Sequence, residues 1–356
     1  MPFSETVLLT GFPGFIAERL VERLARPGTQ FFLLVQSPFI QKATAAIQRI
    51  AEETQTPLEN FAIIEGDITL PDLGISHDDI QTIRDEVTSV FHLAAAYDLA
   101  VDKETARQVN LEGTKNVNNL CRSVSNLYRY NYVSTCYVAG KRIGRILEIN
   151  LEHDAGFRNY YEETKYLAEM EVERLKAELP VTIFRPSVVV GDSRTGETVK
   201  YDGIYYLIQY LRKAPGFLRL INVGNKDVRL NLVPVDFVVN AIAALSADEN
   251  AVGKTIALAD PNPLTTAELF DVIAEVLSKK RSVLTPPAAL VEKFLMLPLS
   301  PPVTELPHYA VPYFFLSQTY DTKQADELLS NYDITCPSFR DYAPNLIDFV
   351  EKHPAL

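Results

Sequence analysis

Short apolar runs alternate with amphipathic stripes through the first half of the chain. Thr6-Val7-Leu8-Leu9-Thr10 reads as a buried strand, and Ile16, Leu20 and Leu24 follow at helical spacing until Pro27-Gly28. Further strand-like runs occupy 31–35, 61–64, 87–92, 130–133 and 181–185, and helical patterns cover 38–53, 103–124 and the stretch from Tyr161 to Leu179. Alternation of this kind predicts an α/β fold with a doubly wound parallel sheet, because a parallel strand needs a crossover helix before the next.

Beyond residue 190 the alternation loosens. A helix is expected at 201–213, strands at 228–233 and 254–259, and helices at 265–279, 321–329 and 338–351. No repeat or low-complexity linker splits the chain into independent units. The expected organisation is a dinucleotide-binding domain over 1–190, rejoined by 226–260, with 191–225 and 261–356 building a smaller C-terminal substrate-binding cap.

Tyr161-Glu162-Glu163-Thr164-Lys165 places a phenol and an ammonium one helical turn apart. Ala168, Val172, Leu175 and Leu179 continue the same stripe, so Lys165 is expected on the buried face, with Glu162, Glu163, Glu169, Glu173 and Lys176 mostly elsewhere. A cation beside a tyrosine lowers a phenol pKa that otherwise sits near 10, which suits proton exchange with a carbonyl or alcohol. A core tyrosine beside a snorkelled lysine gives the same spacing, so other residues must decide.

Gly11-Phe12-Pro13-Gly14-Phe15-Ile16-Ala17 lies at the first strand-to-helix junction. Glycines three apart there let the backbone approach a pyrophosphate, whose charge the helix N-terminus favours. Asp67, after the third strand, could bond an adenine amino group or simply cap a turn. His92-Leu93-Ala94-Ala95 ends the fourth strand in small residues that permit close approach of a ligand, with His92 itself read as a packed histidine. Asn110, inside a helix, needs a partner. Ser134 and Thr135 put hydroxyls at the carboxyl end of the fifth strand, where open parallel sheets bind ligands.

Composition narrows the field. At 47% hydrophobic and 22% charged the chain is ordinary globular protein, and its net charge of −12 argues against a nucleic-acid or anionic-membrane surface. Cys121, Cys136 and Cys336 are odd in number and in no metal-like spacing, which suits reduced thiols in a cytoplasm and no metal site. Neither a basic leader nor a run of eighteen apolar residues is visible, so no stable membrane insertion is expected. The proline-broken stretch 286–316 is read as a lid over an apolar pocket. Cap aromatics, among them Tyr201, Tyr205, Tyr206, Tyr210, Phe217, Phe294, Tyr309, Tyr313, Phe314 and Phe315, either line a channel for an extended apolar group or form cap core.

In order, Thr10-Gly11-x-x-Gly14-Phe15-Ile16, Gly66-Asp67-Ile68, His92-Leu93-Ala94-Ala95, Asn110, Ser134-Thr135, Tyr161-x-x-x-Lys165 and Arg185-Pro186-Ser187 resemble the extended short-chain dehydrogenases/reductases. The stretches 159–169 and 184–196 are similar, more narrowly, to the fatty acyl reductase and thioester reductase branch. The resemblance implies that Thr135, or else Ser134, holds the substrate carbonyl, that Tyr161 exchanges the proton, and that Lys165 lowers the tyrosine pKa and bonds the nicotinamide ribose. It implies cofactor contacts along Gly11, Pro13, Gly14, Phe15, Ile16, Gln36, Asp67, Ile68, Ala94, Ala95, Asn110, Lys165, Pro186, Ser187 and Val188. Where NADP-binding relatives carry Arg after the second strand, this chain has Gln36. With no acid at Gln36-Ser37 to repel a 2′-phosphate, and Lys42 nearby, NADP(H) is expected over NAD(H). The expected reaction is hydride transfer to an apolar acyl thioester, delivered on coenzyme A or a carrier, or to the derived aldehyde. The alternatives are a dehydrogenase of a bulky secondary alcohol or ketone, of hydroxysteroid or sugar type, and a nucleotide sensor without turnover.

Overall fold

The structure, a computed structural model, describes residues 3–213, 218–278, 280–298, 300 and 306–354. Phe217 of the expected cap aromatics and Lys279 at the end of the expected 265–279 helix lie outside the described residues.

Seven parallel strands form the central sheet: β1 (Glu5–Thr10), β2 (Thr29–Val35), β3 (Phe61–Glu65), β4 (Ser89–His92), β5 (Arg129–Val133), β7 (Val181–Pro186) and β10 (Thr255–Leu258), in the order β10-β7-β5-β4-β1-β2-β3. Their side chains are largely buried on both faces, as expected of strands covered by helices on each side. One face packs on α1 (Phe15–Leu24), α2 (Ile40–Thr54) and α8 (Val235–Ser246). The other packs on α3 (His77–Glu86), α5 (Gly113–Ser123) and α6 (Tyr160–Leu175). The order reverses between β1 and β4, and the crevice above that switch point receives the glycine turn.

Two expected elements differ. The helix over 103–124 begins as α4 (Lys103–Ala106), passes through a π-helical stretch, Arg107–Glu112, and continues as α5. Such stretches are uncommon and recur at functional sites, and this one carries Asn110. The strand expected at 228–233 does not return to the central sheet. Only β9 (Leu232–Pro234) is extended, pairing with β8 (Val188–Val190) in a separate ladder, while Arg229 bridges to Thr265. Val228, Leu230 and Leu232 are all buried, the last two in the cap core, which explains the strand-like pattern.

The cap core joins α7 (Ile204–Lys213), α9 (Thr266–Ser278) and the C-terminal helix α12 (Phe339–Lys352), with α10 (Ala288–Leu295) packing in a smaller cluster beside it. Part of the C-terminal stretch lies against the sheet instead. β6 (Gly144–Ile146) pairs with β11 (Gln318–Tyr320), and Ala325, Leu328 and Leu329 of α11 (Lys323–Leu329) join the core beside α1 and α8. Among the described residues no helix is long and apolar enough to cross a membrane.

Candidate active site

The glycine turn shows why its residues are small. Gly11 has φ +93°, and a Cβ there would stand 2.8 Å from the Ala94 nitrogen at the end of β4; a Cβ on Gly14 would stand 2.7 Å from the Gly11 carbonyl. No side chain caps α1 at Gly14, and the first turn of the helix lines a cavity of about 390 Å³. Gly11, Gly14, Phe15, Ile16, Ala94, Ala95, Ser134, Thr135, Tyr161, Lys165, Ser187 and Val188 all line that cavity. Pro13, Gln36, Asp67, Ile68, Asn110 and Pro186 do not.

Four of these six have surroundings that account for them. Gln36 Nε2 donates to Asp67 Oδ2 at 2.8 Å, and the Ser37 hydroxyl bonds Glu65, so the ends of β2 and β3 are joined by neutral donors on carboxylates. Burial alone would raise the Asp67 pKa, but the Thr69 amide and hydroxyl and the Gln36 amide hold it below the usual carboxylate value. Ile68 is a core side chain packed against Gly113. Asn110, buried, accepts from the Ala96 amide at 2.8 Å and donates to the Ala96 carbonyl at 3.2 Å and the Thr164 hydroxyl at 3.0 Å. It therefore fixes the loop after β4 to α6 one residue before Lys165. His92 is packed between the Thr10 and Thr114 hydroxyls, at 2.7 and 3.0 Å, and burial depresses it to about 3.

Lys165 lies on the buried face of α6, 3% exposed, and donates to Tyr132 Oη at 2.9 Å and the Val133 carbonyl at 3.0 Å. Burial draws its pKa down to about 8 against the opposing pull of Glu169. Tyr161 departs from expectation. Its pKa is pushed up to about 12, first by burial, with a hydrogen bond to Thr135 lowering it and Glu162 and Cys136 raising it further. Lysine does not hold the phenol down because its ammonium is directed at Tyr132 and Val133. The phenol's hydrogen-bond partner is Thr135, which also accepts from the Tyr137 amide at 3.2 Å. Ser134 is committed elsewhere, its hydroxyl bonding Glu169.

Two groups escaped the sequence reading. Glu169, fully buried, pairs with Arg185 through Arg185 Nε at 2.8 Å and a second, shorter Nη2 contact. Glu162, also fully buried, accepts from Arg158 Nη1 at 2.8 Å, the Arg158 amide at 2.9 Å and the Tyr313 hydroxyl at 2.6 Å. Tyr313 lines the cavity, packs its ring tilted against Tyr137 with centroids 4.7 Å apart and accepts from Asn159, the N-cap of α6. At the cavity mouth Lys200 reaches Asp202 at 3.5 Å and Asp98 at 3.9 Å. The spacing Glu162-Lys165-Glu169-Val172, three, four and three residues, is itself a single helical stripe and marks both acids as inward-facing.

Strand order, glycine turn and the shared cavity of Thr135, Tyr161 and Lys165 define the class: an NAD(P)-dependent enzyme of the extended short-chain dehydrogenase/reductase fold. Within it, the chain belongs to the male sterility protein family of NAD-binding domains, whose model matches residues 9–242. Fatty acyl-CoA reductase wat of Drosophila melanogaster is 30% identical over 281 residues, 68% of this chain and 54% of the relative. Human fatty acyl-CoA reductase 1 is 28% identical over 277 residues, 67% and 53% of the two chains. This chain thus spans about half the length of the curated relatives it matches. The terminal R domain of the myxalamid PKS-NRPS biosynthetic pathway shares the fold with a TM-score of 0.83 at 24% identity, over 100% of this chain and 93% of that one. MoeE5, solved with UDP-glucose and NAD, does so at TM-score 0.65 and 19% identity, over 98% and 100%.

Proposed function

We propose that the protein reduces an apolar acyl thioester, or the aldehyde derived from it, with NADP(H), in the cytoplasm, and that 191–225 and 261–356 supply the substrate-binding cap. The observation that carries the reading is the convergence of Thr135, Tyr161 and Lys165 on a cavity that also receives the glycine turn and whose far wall, Tyr206, Tyr309, Ala310, Tyr313 and Phe314, comes from the cap. The close contacts of Gly11 and Gly14 fit a pyrophosphate; of the residues expected to hold the dinucleotide, Gly11, Gly14, Phe15, Ile16, Ala94, Ala95, Lys165, Ser187 and Val188 line the cavity, with Gln36 and Asp67 beyond it at the ends of β2 and β3. A reduced nicotinamide supplies the hydride when bound. Thr135 orients the carbonyl oxygen by hydrogen bonding, with Ser134 second to it because its hydroxyl is taken by Glu169. Tyr161, protonated throughout the neutral range, gives its proton to that oxygen as hydride adds to the carbon, and cleavage of the carbon–sulfur bond releases the thiol and leaves an aldehyde. Lys165 fixes the register of α6 against β5 and presents a cation beside the site. The names of the relatives support a coenzyme A thioester, and a carrier-bound one offers the same chemistry. Gln36 and Ser37 leave the 2′ corner without a free acid, and exposed Lys42 follows on α2, which favours NADP(H).

Tyr161→Phe is expected to lower kcat by roughly 10²–10⁴-fold, the usual worth of a positioned proton donor, with dinucleotide affinity within a few-fold. Long-chain acyl-CoA, the matching aldehyde and hydroxysteroid or ketone substrates are assayed with NADPH and with NADH. Near-full activity in the variant removes Tyr161 as the donor. Turnover confined to ketones or secondary alcohols overturns the thioester reading, and a higher specificity constant for NADH overturns the cofactor preference.

A further inference from the structure

Behind the far wall of the main cavity lies a second chamber of about 70 Å³. Its walls come from α7, α10 and the 306–315 segment, and Tyr206 and Phe314 line both chambers. The Tyr206 hydroxyl is spent on Tyr309, at 3.4 Å, and the one threonine in the wall, Thr266, is spent on the backbone of Asn225. The rest of the lining is predominantly apolar: Val291, Leu295 and Leu306 are buried there, with Phe294 and Phe315 beside them, and Tyr210 adds a second phenol from α7. Protein interiors are close-packed, and an apolar void of this kind disfavours water while accepting a nonpolar guest.

We propose that this chamber receives the distal end of an unbranched hydrocarbon chain whose reacting carbonyl lies at Thr135 and Tyr161, and that the side chains of Tyr206 and Phe314 set the chain length at which it is entered. The inference rests on the reading of an apolar acyl substrate and assigns it a shape. A single long chain can occupy both chambers in line, because Tyr206 and Phe314 line both and a narrow chain presents the smallest cross-section between them. Each methylene newly buried contributes about 0.8 kcal/mol, so affinity is expected to rise about fourfold per methylene until the chamber is full.

The test is calorimetric binding of straight-chain primary alcohols from hexanol to octadecanol to the full chain in the presence of its oxidised cofactor, alongside kcat/KM for acyl-CoA thioesters of the same lengths. Leu295→Phe and Val291→Phe fill the chamber, and Phe314→Ala opens the wall. The chain length at which affinity stops rising is expected to move to shorter alcohols in the first two and to longer ones in the third, by at least two methylenes, or about 15-fold for the longest chain bound. Dinucleotide binding reports whether each variant is folded, and the two filling variants duplicate one another. Folded variants whose affinity levels at the wild-type length overturn the chamber. Alcohols that show the shifted limits without any reduction of acyl-CoA uphold the chamber and overturn the thioester reading instead.

Discussion

Glu162 and Glu169 lie seven residues apart on one face of α6, both without exposed surface, yet their partners come from opposite directions. Glu169 looks to the sheet: it takes Arg185 from β7 and Ser134 from the end of β5. Arg185 extends the group to the Glu148 carbonyl at 3.0 Å, and the Glu148 carboxylate accepts from the amides of Ala257, Gln324 and Ala325. Glu162 looks to the cap: beyond its local partner Arg158, it takes Tyr313 from the 311–314 turn. The sheet-facing acid ties the helix carrying Tyr161 and Lys165 to a framework that is buried throughout. The cap-facing acid ties the same helix to the wall of the substrate cavity, so changes at the two ends should read out differently, in stability at one and in chemistry at the other.

The largest effect is expected where the framework is cut. Glu169→Ala leaves Arg185 as an unpaired buried cation, and Arg185→Ala leaves Glu169 as an unpaired buried anion; each is expected to cost about 3–5 kcal/mol of unfolding free energy. Chemical denaturation monitored by circular dichroism measures it. Replacing both by leucine is expected to cost less than either single change, because no charge is then stranded. A loss below about 1 kcal/mol in both single variants breaks the distinction between the two ends.

The next effect lies in pH. Burial pushes Glu148 up to about 7, against three backbone amides that favour its charged form. A carboxyl with a raised folded-state pKa holds more protons folded than unfolded between roughly 4.5 and 7. Its contribution to stability is therefore present below the unfolded value and is lost as pH rises through the folded one, by at most about 3 kcal/mol. Glu148→Gln is expected to remove that slope from a plot of Tm against pH between 5 and 8. An unchanged slope in the variant assigns the pH dependence to other groups.

What was legible from the sequence follows the same division. The sheet's strands, the glycine turn and the Tyr161–Lys165 stripe rest on local patterns of two, three or four residues, which a sequence displays directly. Glu162 and Glu169 were placed on the wrong side because charged residues are seldom fully buried unless paired. Arg158, four residues before Glu162, was a visible partner. Tyr313 was not, since it stands 151 residues away. In the cap, alternation of apolar residues over 228–233 imitated a returning strand, when Leu230 and Leu232 serve a core built from helices that are distant in sequence. The tyrosine pKa was misjudged for a related reason: Lys165 has the right spacing, but its ammonium is claimed by Tyr132 and the Val133 carbonyl, and both belong to a strand that helix spacing cannot place.

The smallest effect on stability, and the most informative for chemistry, is expected at the cap-facing end. Glu162 is the nearest acid along the chain to Tyr161 and raises its pKa, while Arg158 and the Tyr313 hydroxyl spread that negative charge. Tyr313→Phe removes one of the two spreading groups and keeps the ring that lines the cavity. The phenolate of Tyr161 is then less favoured, its pKa rises and it becomes a weaker proton donor, so kcat for reduction should fall several-fold with KM little changed. Glu162→Gln removes the charge itself and leaves Arg158 beside the site, so the Tyr161 pKa should fall and the alkaline limb of kcat should move toward neutral pH. Stability should drop by roughly 1.5–3 kcal/mol in Tyr313→Phe, the worth of a hydrogen bond to a charged group. Opposite displacements of the alkaline limb in two variants of one contact are not expected from loss of packing, which would slow both alike. Superimposable pH profiles would reduce the Glu162 group to a structural tether and make the two ends of α6 equivalent after all.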